Sequence, residues 1–343
     1  MFTEGFTING KHSFADYGLN VKQRQLSFPT KQSIRKTVPF MSGYYDFTRI
    51  NGNDTWGERL LSYTFDIIGD TPEEVETECS RILNWLGNVH EVDIYEDCMP
   101  NYHWHGSFES ASPAESEDGE QNELTVTFVL QPFKIANAET VIEGYQQAVL
   151  QEIAGQPIRP IIEGVTGGRW YYRPSTEQTT ANKYADWIAG KSISPYVLSE
   201  GKYVIGITPT NMVTLPYYAG TTTSNGMTFT LNNNGSITLN GTIKDAAAWF
   251  IIKALDGSFM LPVGQYKLSG AVSDNILLRL IIQRGEENEY VYDRGDGAEF
   301  TVDEDVTAIQ IAMQVAVGET ANNLTITPAI QGKMRMTWRE EVL

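Results

Sequence analysis

Four residues between positions 249 and 292 have side chains that suit sugar recognition. A protein holds a sugar by stacking the apolar face of the ring on an exposed aromatic side chain and by hydrogen bonding from planar polar groups. Trp249, Tyr290 and Tyr292 supply rings, and Arg279 supplies a planar donor. Tyr290 and Tyr292 share one face of a predicted strand with polar neighbours, which favours exposure. Trp249 lies in the apolar run 246–252, so we expect it in the core.

Two groups of residues have types that bind metals. His103 and His105 are two positions apart, which places both imidazoles on one face of a strand, but no third ligand lies nearby. We therefore expect two ordinary surface histidines. Asp293, Asp296 and Glu299 offer hard oxygen ligands for calcium, although their spacing is not that of an EF-hand loop, and we expect a charged turn. The sequence thus predicts no metal and no cofactor.

The sequence lacks the signatures of common catalytic sites. Gly-x-Ser-x-Gly, His-Glu-x-x-His, Walker A and Gly-x-Gly-x-x-Gly are all absent. A glycosidase needs two carboxyl groups across a cleft, and the abundance of acids in this chain identifies no such pair. Cys79 and Cys98 are too few for a disulfide framework, and we expect both to remain thiols. We predict a protein that is not an enzyme.

The composition predicts ordinary globular domains. The 343 residues, 41% hydrophobic and 20% charged, suffice for two or three domains with their own cores. No stretch approaches the roughly 18 apolar residues of a transmembrane helix, and the first residues lack a signal-peptide pattern, so we expect no membrane insertion and assembly in a cytoplasm. The net charge of -18 argues against nucleic-acid binding.

The charge is unevenly placed along the chain. Residues 11–36 hold six basic side chains against the single acid Asp16, while residues 109–123 hold six acids and no base. Patches of opposite charge on neighbouring subunits of a ring attract each other, which favours their encounter and fixes how the subunits align. The alternative is two unrelated solvated segments.

The elements of the first 135 residues predict a β-sandwich with one packed helix. Asn9-Gly10 marks a tight hairpin turn, and the alternation over residues 61–67 predicts a half-buried strand. Thr71, Pro72 and Glu74 have the pattern of a helix start, and Gly87 supplies the stop. The apolar stripe of this helix consists of Val75, Cys79, Ile82, Leu83 and Leu86.

Further strands are predicted at residues 90–97, 101–109 and 124–130. The acidic stretch 110–122 between the last two is predicted to be a solvent-exposed hairpin loop. Residues 20–42, interrupted by prolines, are predicted to form an extended arm or long loop.

Two later segments are less clear from their pattern. Residues 136–155 fit a helical period with capping residues at both ends, whereas a family resemblance described below implies strands. We favour strands. A short helix is predicted near residues 180–189.

Short strands at regular spacing follow from residue 215, the pattern of a sandwich. A hairpin over residues 227–241 has clear turn chemistry at Asn232–Gly235 and at Asn240-Gly241. Further strands are predicted at residues 249–252, 266–269, 276–282, 289–292, 309–317 and 324–328.

Several N-terminal segments resemble, as a set, the N-terminal domain of phage distal tail proteins, the Dit family. They are residues 6–19, the aromatic run 43–47, residues 59–68 and residues 123–134. The resemblance implies a homohexameric ring whose faces meet the tail tube protein and the tail-associated hub protein, with a receptor-binding protein as a further partner. It also implies that the arm 20–42 contributes to the belt between subunits.

The block 211–331 resembles jelly-roll carbohydrate-binding modules of phage tail and bacterial surface proteins, through the runs 234–242 and 261–270. Residues 332–343 resemble the last strand of distal tail proteins. The predicted fold is therefore mainly β. It comprises an N-terminal β-sandwich with one packed helix (1–135), a second, galectin-like β-sandwich (136–210 plus 332–343), and a jelly roll inserted into the second sandwich (211–331).

The leading hypothesis is a virion structural protein, a distal tail protein at the tail tip or baseplate of a phage. Its ring would link the tail tube to the host-adsorption apparatus, and the jelly roll would bind host surface glycans such as cell-wall polysaccharide. The first alternative is a cell-surface carbohydrate-binding adhesin or accessory protein without a ring. The second is a tail-associated glycan hydrolase, which would need the acid pair that we do not find.

Overall fold

A computed structural model gives a mainly β chain, as predicted. It describes residues 5–40, 42–48, 54–115, 122–175, 183–187, 190–213 and 220–343. Within these ranges there are 32 strands and one helix, arranged in several sandwich-like sheets.

The elements follow one another in short segments along the chain. They are β1 (Phe6–Ile8), β2 (Lys11–His12), β3 (Val21–Leu26), β4 (Lys31–Gln32), β5 (Arg35–Lys36), β6 (Tyr45–Asp46), β7 (Thr55–Trp56), β8 (Arg59–Ile67), α1 (Pro72–Leu86), β9 (Val92–Glu96), β10 (Tyr102–Glu115), β11 (Asn122–Leu130), β12 (Lys134–Ala136), β13 (Thr140–Gly144), β14 (Gln147–Ile153), β15 (Ile161–Gly164) and β16 (Gly168–Pro174). The remainder are β17 (Lys183–Trp187), β18 (Gly190–Ile193), β19 (Gly201–Pro209), β20 (Thr221–Ser224), β21 (Met227–Leu231), β22 (Ile237–Thr242), β23 (Ala248–Lys253), β24 (Gly264–Ser269), β25 (Ile276–Arg284), β26 (Glu287–Asp293), β27 (Ala298–Val302), β28 (Val306–Val315), β29 (Thr320–Ile326), β30 (Ala329–Gly332), β31 (Met334–Trp338) and β32 (Glu341–Val342).

The chain divides into two compact units. Unit 1 comprises Met1–Thr140, Ala154–Ile158 and Arg339–Leu343, and unit 2 comprises Val141–Ile153 and Arg159–Trp338. The boundaries of the three domains predicted from the sequence stay a prediction.

Unit 1 is built on one sheet with the strand order β2-β1-β9-β10-β11-β8-β3, extended beside β10 by β12 and β32. The Asn9-Gly10 turn is confirmed, because both residues have positive φ, 51° and 74°, as a two-residue hairpin requires. β8 buries the predicted face, whose members are Leu61, Tyr63, Phe65 and Ile67.

The predicted start of α1 at Pro72 and its predicted stop at Gly87 are both confirmed. The Thr71 hydroxyl accepts a hydrogen bond from the Glu74 backbone N–H at 3.3 Å, which satisfies one of the free donors at the helix start. Trp85 stacks on Tyr17 with ring centroids 4.1 Å apart. Leu83, predicted on the apolar stripe, is instead exposed. The buried members of the stripe are Cys79, Ile82 and Leu86.

A buried carboxylate ties the edge strand β3 to the middle of the sheet. Arg24 donates from Nε and Nη2 to the two oxygens of Glu96, at 2.6 and 2.7 Å. Trp104 Nε1 donates to Glu96 Oε2 at 2.7 Å, and the Tyr63 hydroxyl donates to Oε1. The Glu96 side chain is fully buried, so these donors replace the water that the charge gave up.

Burial, and then the Glu96 carboxylate, raise the pKa of Tyr63 well above its usual value of about 10. The stability that depends on a protonated Tyr63 is therefore present below pH 10 and is lost at higher pH, where the unfolded phenol ionises and the folded phenol does not. We expect unit 1 to lose up to about 1.4 kcal/mol per pH unit from this group. Urea unfolding at pH 9 to 11 tests this, and Tyr63→Phe should flatten the decline.

Two predictions for loops in unit 1 are corrected. Val21–Leu26, expected within an extended arm, is the edge strand β3, because it pairs with β8 with one shift of register between Val21 and Gln23. Ser110–Glu115, expected within a loop, continues β10 opposite β11. Asn122, the last residue of the predicted loop, begins β11. Residues 116–121 lie outside the described residues.

The segment 136–155 forms strands, as favoured, and its helical period is misleading. β14 pairs residue by residue with β19 from Gln147 to Ile153, so the sheet satisfies its backbone groups. The short helix predicted near residues 180–189 is wrong where the structure describes it, because Lys183–Trp187 pairs with β16. Residues 180–182, 188 and 189 lie outside the described residues.

The described residues of unit 2 form five sheets. Their strand orders are β13-β31-β15-β18, β14-β19-β16-β17, β20-β21-β22-β29, β23-β28-β25-β26 and β27-β24-β30. One core cluster is made of buried residues from Val213 to Ile330. The predicted hairpin of β21 and β22 is confirmed. Asn240-Gly241, predicted as a turn, is instead a bulge inside β22, and the sequence analysis missed β20.

Candidate glycan-binding platform

The sheet β23-β28-β25-β26 has one face in the core of unit 2 and one face that reaches the surface. Successive side chains of a strand point to opposite faces. In β23, Ala248, Phe250 and Ile252 are buried, while Trp249 and Ile251 are 37% and 39% exposed. Residues 248–252 of the apolar run therefore lie in a strand whose side chains alternate between the core and the surface.

The pairing of the four strands brings the predicted sugar-binding residues onto this outer face. Trp249 lies opposite Gln314 of β28, and Arg279 of β25 lies opposite Tyr292 of β26. Tyr290 precedes Tyr292 by two positions in β26 and therefore lies on the same face. We call this face the platform and define it by Trp249, Arg279, Tyr290, Tyr292, Gln310 and Gln314. Three strand spacings of about 4.8 Å make it roughly 14 Å wide.

Arg279 holds the platform together. Its guanidinium carbon lies 4.1 Å from the centroid of the Trp249 ring and 6.0 Å from that of Tyr290, both within the range of a cation–π contact. Its Nη2 donates to Gln310 Oε1 at 3.2 Å. These contacts fix the plane of the guanidinium beside rings that are partly exposed, Tyr290 at 51% and Tyr292 at 39%.

The expectation that Trp249 lies in the core is wrong, whereas the exposure of Tyr290 and Tyr292 is confirmed. Nothing in the run 246–252 marks Trp249 as outward, since every residue there is apolar. Its exposure is visible only in the structure, where the adjacent Ala248 and Phe250 are buried. Sequence reasoning missed Gln310 and Gln314. They interrupt the apolar stretch 308–315 of β28 at outward positions, and polar residues there mark the surface face.

The candidate metal residues form ordinary structural contacts. His103 is buried, not at the surface as expected, and its Nδ1 hydrogen-bonds Asn137 at 2.7 Å. His105 pairs with Asp93 at 2.8 Å. Asp293 is also buried, and its carboxylate accepts backbone N–H groups of residues 271, 295 and 297, which organises the turn. Among the described residues no group of three metal-ligand side chains is placed to hold an ion.

Unit 1 has an exposed feature of its own, an apolar arm that we define as residues 27–40 and 42–48. Its short strands pair only in two-residue ladders, β4 with β7 and β5 with β6. Phe28 is 88% exposed, and Phe40 is fully exposed with a positive φ of 68°, which is unusual for a bulky residue. The other exposed apolar side chains of the arm are Ile34, Val38, Tyr44, Tyr45 and Phe47.

Basic residues of the N-terminal region find acidic partners within the chain. Lys22 pairs with Asp66 at 3.4 Å and with Glu123, and Lys31 pairs with Asp54 at 2.6 Å. The hypothesis of two unrelated solvated segments is wrong for Lys22 and Glu123, and their pairing needs no second subunit. The feature that distinguishes the surface of the arm is therefore its exposed apolar side chains.

No protein-family model matches the chain, and no curated protein matches it. Among solved structures, the chain is similar to the Dit protein of SPP1, described as a paradigm of the hub adsorption apparatus in phages that infect Gram-positive bacteria. The identity is 11% and the TM-score 0.45, over 99% of this chain and 100% of that chain. A Streptomyces albus enzyme, HEPD with 2-hydroxyethylphosphonate and Fe(II) bound, has 8% identity and a TM-score of 0.16, over 67% of this chain and 73% of that chain. Likenesses at these levels assign neither a family nor a function.

Across the described ranges, no helix is both long and apolar enough to span a bilayer.

Proposed function

We propose that this chain is a non-catalytic structural protein of a phage tail tip. It forms a homohexameric ring that joins the tail tube to the host-adsorption apparatus, and its platform binds host surface glycans. The proposal places the protein in the virion tail after assembly in the host cytoplasm. Its partners are other copies of itself, the tail tube protein, the tail-associated hub protein, a receptor-binding protein and host cell-wall polysaccharide.

The apolar arm is the observation that carries the assembly part of this proposal. Large exposed apolar side chains gathered on one segment mark a surface that becomes buried in an assembly. The segments that resemble distal tail proteins also support it, since residues 6–8, 59–67 and 123–130 contribute strands to the large sheet of unit 1.

The assembly state of the purified full chain tests this proposal. We expect native mass spectrometry to give six copies and electron microscopy to show rings. Replacing Phe28 and Phe40 together by serine should leave monomers, because the ring would lose its apolar contact. Leu150→Ser, at an apolar residue 67% exposed outside the arm, serves as the control and should keep the ring. A wild-type chain that stays monomeric at high concentration would contradict the ring.

The platform favours a second candidate function, a carbohydrate-binding adhesin or accessory protein that acts without a ring. Both candidates predict binding to host cell walls, and only the first predicts six copies. A monomer that is retained on cell walls, and loses this retention on Tyr290→Ala, would favour the second candidate.

A further inference from the structure

We propose that the platform recognises a glycan that carries an anionic group, a carboxylate or a phosphate, and that Arg279 binds that group. This inference rests on the proposed glycan-binding function and names the class of ligand. The first observation that supports it is how the arginines of this sheet are paired with carboxylates.

Arg279 differs from the other arginines of this sheet and its adjoining turn. Arg284 pairs with Glu289 and with Asp303, and Arg294 pairs with Asp274 at 2.8 Å. Among the described residues, Arg279 has no carboxylate partner within 4.0 Å, and its hydrogen-bond acceptor is the neutral amide of Gln310. A positive charge without a counter-ion, in a chain of net charge -18, is available to an anionic ligand.

The guanidinium is also prepared for such a ligand. Its contacts with Trp249 and Gln310 fix its plane, so little side-chain freedom is lost on binding. Nε is buried without a hydrogen-bond acceptor, whereas Nη1 is not buried and has no acceptor among the described residues. The fork of an arginine matches the oxygens of a carboxylate or phosphate, and bonds of this kind are roughly twice as strong as those between neutral groups.

Nearby carboxylates do not compete for this charge. Asp293 points into the core and is held by three backbone N–H groups, Glu289 is paired with Arg284, and Asp274 is paired with Arg294. Arg294 also lies 5.6 Å from the centroid of Tyr292, which adds a second cation beside the platform. The exposed rings of Tyr290 and Tyr292 then supply the surface on which the sugar stacks.

Calorimetry on the full chain tests the inference with three probes of matched length. They are an oligogalacturonate as carboxylate source, a phosphorylated oligogalactose as phosphate source, and a neutral oligogalactose. We expect at least one anionic probe to bind about 10-fold or more tightly than the neutral one, and its affinity to fall with added salt. The probe that binds identifies which anion the platform takes.

Three variants separate charge recognition from sugar stacking. Arg279→Gln should remove the preference for the anionic probe, and Gln310→Glu should do the same by giving Arg279 a partner within the protein. Tyr290→Ala should weaken every probe that binds. Arg169→Gln, in an exposed ion pair with Asp186 outside this sheet, is the control and should change nothing.

Equal binding of neutral and anionic probes, unchanged in ratio by Arg279→Gln, would overturn the inference and leave the glycan-binding function standing. Failure to bind any probe, together with no retention on host cell walls, would overturn both. Retention on cell walls that high salt and Arg279→Gln leave intact would overturn the inference alone.

Discussion

Replacing Glu96 by alanine is expected to lower the free energy of unfolding of unit 1 by about 3–5 kcal/mol. The change removes the acceptor for the Trp104 indole and the Tyr63 hydroxyl, both of which are buried, and it leaves the Arg24 guanidinium without its counter-ion. Native domains have about 5–15 kcal/mol of stability in total, so this loss brings unit 1 close to unfolding. Urea unfolding measures it, with hydrogen exchange on peptides from β9 and β10 to assign the transition.

Asp66→Ala is the matched control in the same unit. Asp66 accepts from Lys22 at 3.4 Å, and both side chains are more than 40% exposed, so the pair is screened by water. We expect a loss of only about 0–1 kcal/mol. If Glu96→Ala cost no more than Asp66→Ala, the buried network would have no special role in holding β3 to the sheet.

Replacing Gly241 by alanine is expected to destabilise unit 2 by two additive effects. Gly241 has φ of 128°, a conformation that costs a residue with a side chain about 1–3 kcal/mol. A Cβ there would also overlap the carbonyl oxygen of Gly226 on the adjacent strand end, and overpacking of this kind costs about a further 1–3 kcal/mol. The lost stability should appear as a lower urea midpoint and as faster hydrogen exchange in β21 and β22.

Gly235 in the turn of the same hairpin offers the control. Its φ of 80° is also positive, but nothing lies within 4 Å of a Cβ built on it. Gly235→Ala should therefore show the conformational cost alone, about 1–2 kcal/mol. Equal losses at the two glycines would mean that the close approach at the β22 bulge is not what requires glycine at position 241.

Several features of the fold were predictable because they depend on neighbours in the sequence. The Asn9-Gly10 turn follows from the positive φ that both residues tolerate. The start of α1 follows from the Thr71 hydroxyl and Pro72, which act on the first turn alone. The exposure of Tyr290 and Tyr292 follows from alternation in a single strand.

Local sequence patterns mislead where a partner far along the chain decides the outcome. Residues 136–155 have a helical period, yet β14 is a strand, as favoured, because it pairs with residues 201–207 of β19. Asn240-Gly241 has the composition of a turn, yet pairing with β21 on one side and β29 on the other makes it a bulge. Glu96 carries no local sign of burial, because its donors Arg24, Tyr63 and Trp104 come from three other strands.

The amino-acid sequence by itself determined the mainly β character of the chain, the position of α1 and the residue types suited to sugar recognition, because these depend on period, capping and side-chain chemistry. Only the tertiary structure placed Trp249, Arg279 and Tyr290 on one face of one sheet. The register between strands β23, β28, β25 and β26 determines which side chains share that face. The packing of the opposite faces of these strands into a shared core sets the register. That packing also turned Trp249 outward and left the charge of Arg279 beside its ring.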